Sequence, residues 1–220
     1  MDRERAPVLL LHGVLGQEIL YWNLFRKRLE ADGFTVREIS LPGMLLGDMA
    51  TAALFLQRQV EIQLGMLRAK RFDVIAHSAG GLVLRYYLKN LEGTKRVRRA
   101  VFLGTPHKGT ALTNVLPFLI VQRQMRPGSD FIAELNKEPA APGPTEYLNL
   151  WTRTDAVVLP PENALLNGGR RPNVVNKRLD WITHWGFLWR KQVYDLVRDE
   201  LKREAGLVSE VVASRPKRRR

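Results

Sequence analysis

The stretch Phe72-Asp73-Val74-Ile75-Ala76-His77-Ser78-Ala79-Gly80-Gly81-Leu82 decides how this chain is read. A short apolar run ends in a serine set among small residues, and a helical pattern begins at once. A strand that turns sharply into a helix through such a serine is a nucleophile elbow. The turn lifts the hydroxyl off the sheet, and small neighbours let the two backbones approach closely. The common pattern has glycine two residues before the serine; here Ala76 stands there, while Gly80 keeps the other side. A plainer reading of the same serine is a helix N-cap.

Outward from the elbow, strand-like and helix-like segments alternate, the rhythm of βαβ units in a mostly parallel sheet. Upstream, Val8 to Leu11 reads as a buried strand, followed by the turn at 12–16. Residues 18–31 place Leu20, Leu24, Phe25 and Leu29 at helical spacing and stop near Asp32-Gly33. Residues 35–40 form the next strand, ended by Pro42-Gly43, and 51–67 a helix. Downstream follow a helix at 82–91, strands at 98–103 and 147–151, and a weaker strand at 173–175. A closing helix over 185–202 is apolar at Trp189, Val193, Leu196, Val197 and Leu201. The expectation is one α/β domain over 1–205 and a basic, disordered tail over 206–220. Residues 110–146 break the rhythm. They open on the apolar run from Val115 to Val121 and end in Pro139-Ala140-Ala141-Pro142-Gly143-Pro144. Such a long connection suits a lid over a site and equally a helix packed permanently on the core.

The bulk numbers agree with a single globular domain. The chain has 220 residues, 45% hydrophobic and 26% charged, enough to bury a sizeable core. No internal period points to a solenoid or propeller. Cysteine is absent, which excludes disulfides and thiolate metal sites. The apolar run after Met1-Asp2-Arg3-Glu4-Arg5 is too short for a signal-peptide core, and no stretch approaches a membrane span. A cytoplasmic location is therefore expected. The net charge is +13, and the terminal Arg215-Pro216-Lys217-Arg218-Arg219-Arg220 carries five of the 35 basic residues. Solvated helix faces and a tail account for most of this charge; weak contact with anionic membranes is the sharper expectation. No basic module interleaved with aromatics reads bases, so no specific nucleic-acid partner is expected.

A serine nucleophile needs a base to take its proton and an acid to orient that base. Four histidines are present. His77 adjoins Ser78 and points elsewhere; His12 lies in the first strand-turn. His107 has no carboxylate between itself and Ser78 other than Glu92. His184 remains, just ahead of the last helix, and the chain order serine, acid, histidine selects it. Asp155, past the clean strand at 147–151, is the acid; Asp180 lies too near His184. A plainer reading of Asp155 is an Asx turn. The oxyanion hole is assigned to the backbone N–H groups of Val14, in the turn after the first strand, and of Ala79, next after the nucleophile. Leu15, Leu116, Leu119 and Leu165 are candidate substrate-lining residues. Nothing in the set calls for a metal or cofactor.

Four blocks now resemble bacterial lipases and esterases of the α/β-hydrolase fold. They are Leu10-Leu11-His12-Gly13, the elbow Ala76-His77-Ser78-Ala79-Gly80, Leu103-Gly104-Thr105-Pro106-His107-Lys108-Gly109-Thr110, and Thr154-Asp155-Ala156-Val157-Val158 with His184 later. The Ala-His-Ser-x-Gly elbow is shared with small lipases. The Gly-Thr-Pro-His-x-Gly block is typical of lipases and lipase-like deacylases. The resemblance implies hydrolysis of carboxylic esters, lipids among them, without a metal. Alternatives are an acyltransferase or thioesterase with the same triad, or a non-catalytic protein docking on membranes or nucleic acid through its basic tail.

Overall fold

In the computed structural model, which describes residues 5–16, 21–114, 119–167 and 172–203, the sheet follows the predicted rhythm. Among the described residues six strands form one sheet: β1 (Val8–Leu11), β2 (Val36–Ile39), β3 (Phe72–His77), β4 (Val97–Leu103), β5 (Glu146–Trp151) and β6 (Val174–Arg178). Every pairing is parallel and the order is β2-β1-β3-β4-β5-β6. The α-helices among the described residues are α1 (Asn23–Ala31), α2 (Met49–Leu67), α3 (Gly80–Asn90), α4 (Ile120–Gln124), α5 (Asp130–Asn136) and α6 (Lys191–Lys202).

A parallel sheet needs cover on both faces, so its strands carry near-continuous apolar runs. Alternate residues of those runs serve opposite layers. Leu9, Leu11, Val74 and Ala76 pack with α2 and α3, whereas Val8, Leu10 and Ile75 pack with α1 and α6. The strand order reverses direction between β1 and β3. In such sheets the crevice beyond the carboxyl ends of the two strands is where ligands bind. The turn after β1 and Ser78 after β3 both lie there.

Local chemistry explains several boundaries. Asp48 caps α2 by accepting from the Thr51 N–H at 2.6 Å. Arg68 ends that helix in the left-handed conformation. Buried Arg99 of β4 meets Glu146 at 2.7 Å and Glu200 at 3.6 Å, and it donates to the Leu201 carbonyl. One guanidinium thus joins β4, β5 and the end of α6.

Two helix faces differ from expectation. The helix α1 starts only at Asn23, with Trp22 as its N-cap, and its buried residues are Phe25 and Leu29; Leu24 is exposed. Leu20 lies outside the described residues. The closing helix is broken: a 3-10 turn spans Trp185–Leu188, and Arg190 is an extended N-cap for α6. Trp189 falls in that break and is exposed rather than core-facing.

In the long connection, Val121, Ile132 and Leu135 join the core on the α3 side. Arg85 of α3 is almost fully buried and donates to the carbonyls of His107, Leu135 and Ala140 and to Asn136 Oδ1. Lys89, one turn further on, donates to the Glu134 and Lys137 carbonyls. Residues 134–140 are therefore sewn onto α3. Residues 115–118, including Leu116, and the tail at 206–220 lie outside the described residues.

Candidate active site

Ser78 has φ +53°, a left-handed conformation that costs a β-carbon-bearing residue energy. Its neighbours show why the elbow needs small side chains. A β-carbon on Gly80 would lie 2.3 Å from the His12 carbonyl oxygen, and one on Gly81 would lie 2.0 Å from Thr105 Oγ1. Ala76 is fully buried between Leu11 of β1 and Phe102 of β4. Its methyl is accommodated inside the strand, so the alanine in place of the commoner glycine leaves the turn intact. The Ser78 N–H donates to the Leu103 carbonyl at 2.9 Å, which anchors the turn to β4.

The structure brings Ser78, His184 and Asp155 together from three separate elements. His184 Nε2 lies 3.0 Å from Ser78 Oγ, and His184 Nδ1 lies 2.9 Å from Asp155 Oδ2. Asp155 sits four residues past the end of β5. Its second oxygen, Oδ1, accepts from the Val157 and Val158 N–H groups at 2.8 and 3.0 Å. Asp155 thus makes two kinds of contact: an Asx-type turn fixes the carboxylate, and its other oxygen faces the imidazole. Gly104 stands beside it with φ +57°, where a β-carbon would meet Phe187 at 2.9 Å and Asp155 Oδ2 at 3.3 Å. Asp180 is exposed and pairs with Arg178.

The turn after β1 is held by His12. Its buried ring donates from Nδ1 to the Gly13 carbonyl and accepts the Leu41 N–H on Nε2 at 2.9 Å. Gly13 approaches the elbow so closely that a β-carbon there would lie 2.8 Å from Ser78 Cβ. Among the described residues the N–H groups of Val14 and Ala79 donate to no backbone carbonyl. Val14 directly follows Gly13 and Ala79 directly follows Ser78, the positions from which backbone N–H groups would meet a developing oxyanion. Leu15 follows at φ +58°, and its N–H donates to the Met44 carbonyl at 2.9 Å.

Of the substrate-lining candidates, Leu15 is exposed on the oxyanion turn and Leu119 is exposed at the start of α4. Leu165 packs on a separate small cluster of Trp151, Val158 and Ala164. Trp185 was not singled out from the sequence; its ring centroid lies 5.8 Å from that of His184 and half its surface is open.

The remaining histidines are buried and neutral. Burial holds the His107 imidazole well below the usual range, reinforced by nearby Arg85. Its Nε2 pairs with Asn149 at 3.1 Å. His77 is likewise held well below its ordinary value by burial first and then by the positive potential of His184. Its two nitrogens engage Tyr21 Oη at 2.5 Å and the His184 carbonyl at 2.9 Å. Sequence reading gave Tyr21 no role, and a hydrogen bond spanning 56 residues leaves no local signal.

Known proteins place this geometry in context. The chain is similar over 102 residues to triacylglycerol lipase 2 of Saccharomyces cerevisiae, at 29% identity, covering 44% of this chain and 31% of that protein. The chain thus spans about a third of the length of that relative. Among solved structures, lipase B of Aspergillus fumigatus superposes with a TM-score of 0.79 at 18% identity, covering 97% of this chain and 57% of that one. The mature lipase BlEst2 of Bacillus licheniformis gives 0.77 at 16% identity, covering 91% and 93%. These neighbours share the α/β-hydrolase fold. The sequence profile of the palmitoyl protein thioesterase family matches residues 7–136, from β1 through the elbow to α5. That match covers more than half of the sequence, and the chain belongs to the palmitoyl protein thioesterase family.

Proposed function

We propose that this protein is a serine hydrolase of carboxylic esters working through an acyl-enzyme, with Ser78 as nucleophile, His184 as base and Asp155 as the acid that orients it. The observation carrying the reading is the pair of contacts at 3.0 and 2.9 Å that links the strained serine through His184 to a buried carboxylate. Ser78 Oγ attacks the ester carbonyl while His184 Nε2 takes its proton. Asp155 stabilises the resulting imidazolium and keeps Nδ1 protonated. The Val14 and Ala79 N–H groups receive the oxyanion, each such donor being worth about 2.7–4 kcal/mol in the transition state. The alcohol leaves with the proton from His184, and water then repeats the sequence on the acyl group.

Lipid esters are the proposed substrate class. Exposed Leu15, Met44, Leu119 and Trp185 offer apolar surface on the loops after β1 and β2, at α4 and beside His184. The excess of 13 positive charges supports weak contact with anionic lipid surfaces. A second reading, cleavage of acyl thioesters by the same three side chains, is favoured by the family match over residues 7–136.

Turnover of p-nitrophenyl esters from acetate to palmitate, beside a palmitoyl thioester, tests both readings. The expected result is ester hydrolysis that falls by about a thousandfold or more in Ser78→Ala. Preference for the thioester in kcat/KM supports the second reading. Unchanged turnover in Ser78→Ala overturns both.

A further inference from the structure

The hydrogen bonds around His77 form a directed chain between the two halves of the site. The Gly13 N–H donates to Tyr21 Oη at 3.1 Å, Tyr21 Oη meets His77 Nδ1 at 2.5 Å, and His77 Nε2 meets the His184 carbonyl at 2.9 Å. The two ends of this chain have fixed polarity: a backbone N–H can only donate and a carbonyl can only accept. The His184 carbonyl thus requires the proton on His77 Nε2. Nδ1 must then accept, and the Tyr21 hydroxyl must donate to it while accepting from Gly13. Every proton in the chain is assigned by its ends.

We propose that Tyr21 and His77 are positioning residues, clamping the oxyanion turn after β1 to the backbone of His184. The clamp rests on the hydrolase reading of the site given above. Gly13 directly precedes Val14, whose N–H is the proposed oxyanion donor, and His184 carries the proposed base. A rigid bridge between them fixes the distance over which the proton and the negative charge develop. Packing reinforces the bridge. Tyr21 meets the rings of His77 and Trp185 edge-on at 5.5 and 5.9 Å, and the His77 and His184 centroids lie 4.7 Å apart. Burial suits the role, because a second cation this close would oppose formation of the His184 imidazolium. His77 is fully buried, and Tyr21, where burial also raises the phenol above its ordinary value, holds its proton for donation.

The test has a part independent of activity. In protein carrying 15N-labelled histidine, long-range imidazole NMR is expected to show His77 as the neutral Nε2–H tautomer. That state should persist from about pH 5 to 8, the window in which an ordinary histidine changes charge. An Nδ1–H tautomer, or protonation within the window, overturns the clamp. In kinetics, Tyr21→Phe keeps the ring but cuts the bridge. It is expected to lower kcat by about 10- to 100-fold with KM within about twofold. His77→Leu should do the same, and His77→Gln, which retains a donor toward the His184 carbonyl, should recover part of the loss. Because the two residues serve one bridge, the double variant should be no slower than the slower single one. Losses that multiply, or a change in KM alone, overturn the proposal. Ser78→Ala runs alongside: turnover surviving in it refutes the hydrolase reading, and the NMR result still judges the clamp.

Discussion

Ser78 is held at φ +53° by its surroundings, at a cost of about 1–3 kcal/mol for a residue of this kind. What over-determines it is contact, above all the 2.3 Å that a Gly80 β-carbon would leave to the His12 carbonyl oxygen. Backbone cannot swing away as a flexible side chain does. Gly80→Ala should therefore destabilise the fold by about 1–3 kcal/mol and depress ester turnover, read by thermal denaturation and a steady-state assay. Ala76→Gly, which restores the commoner elbow, should leave turnover within about twofold and cost about 1 kcal/mol in the strand. Asp155 offers a sharper case. Its Oδ1 is committed to two backbone N–H groups, at 2.8 and 3.0 Å. In Asp155→Asn the amide oxygen must keep that place, which turns the NH2 toward His184 Nδ1. The imidazole is then forced into the tautomer that cannot accept the serine proton. A loss in kcat on the order of 10³–10⁴-fold, with an unchanged melting curve, is expected.

At the scale of elements, α3 does two jobs: its N-terminus receives the elbow, and its middle holds the insertion through Arg85. The Arg85 guanidinium, lowered to about 10 by burial, donates to neutral acceptors among the described residues. Replacing it with methionine leaves several of those carbonyls unpaired, a loss of roughly 2–3 kcal/mol by the worth of hydrogen bonds to charged groups. Urea denaturation should show that loss, and hydrogen exchange should show α5 amides opening ahead of the sheet. The elements were legible to different degrees for physical reasons. The β-strands and the elbow announce themselves because apolar runs, small residues and a sharp turn are local properties. The β5–Asp155–His184 sequence was legible because chain order restricts which side chains can meet. The first helix misled, since Leu24 is apolar at the right spacing, yet Trp22, Phe25 and Leu29 take the core face. Trp189 misled in the same way, the extended backbone at Arg190 having no signature in hydrophobic spacing. Nothing local reveals the Tyr21–His77 bond or the grip of Arg85 on residues 50 positions away.

Across the whole molecule, two buried neutral histidines make stability depend on pH. His77 and His107 are both held well below the ordinary imidazole value, chiefly by burial. Below about pH 6.5 the unfolded chain takes up protons there that the folded chain does not, so stability falls as pH falls. Each contributes up to about 1.4 kcal/mol per pH unit in that window. Urea midpoints should decline steadily from neutrality toward about pH 5, and His107→Gln should remove one share of the slope. A profile unaffected by that substitution would contradict the account. The fold itself gathers the site at one place, the carboxyl ends of β1 and β3, where the strand order turns back on itself. Ser78 from β3, Asp155 from beyond β5 and His184 before α6 converge there, and their convergence is the central claim. The most direct measurement is to label the protein with a fluorophosphonate and locate the adduct by peptide mass spectrometry. The account predicts a single stoichiometric phosphonyl adduct on Ser78, slowed severely in His184→Ala. An unlabelled Ser78, or an adduct on another serine, would contradict it.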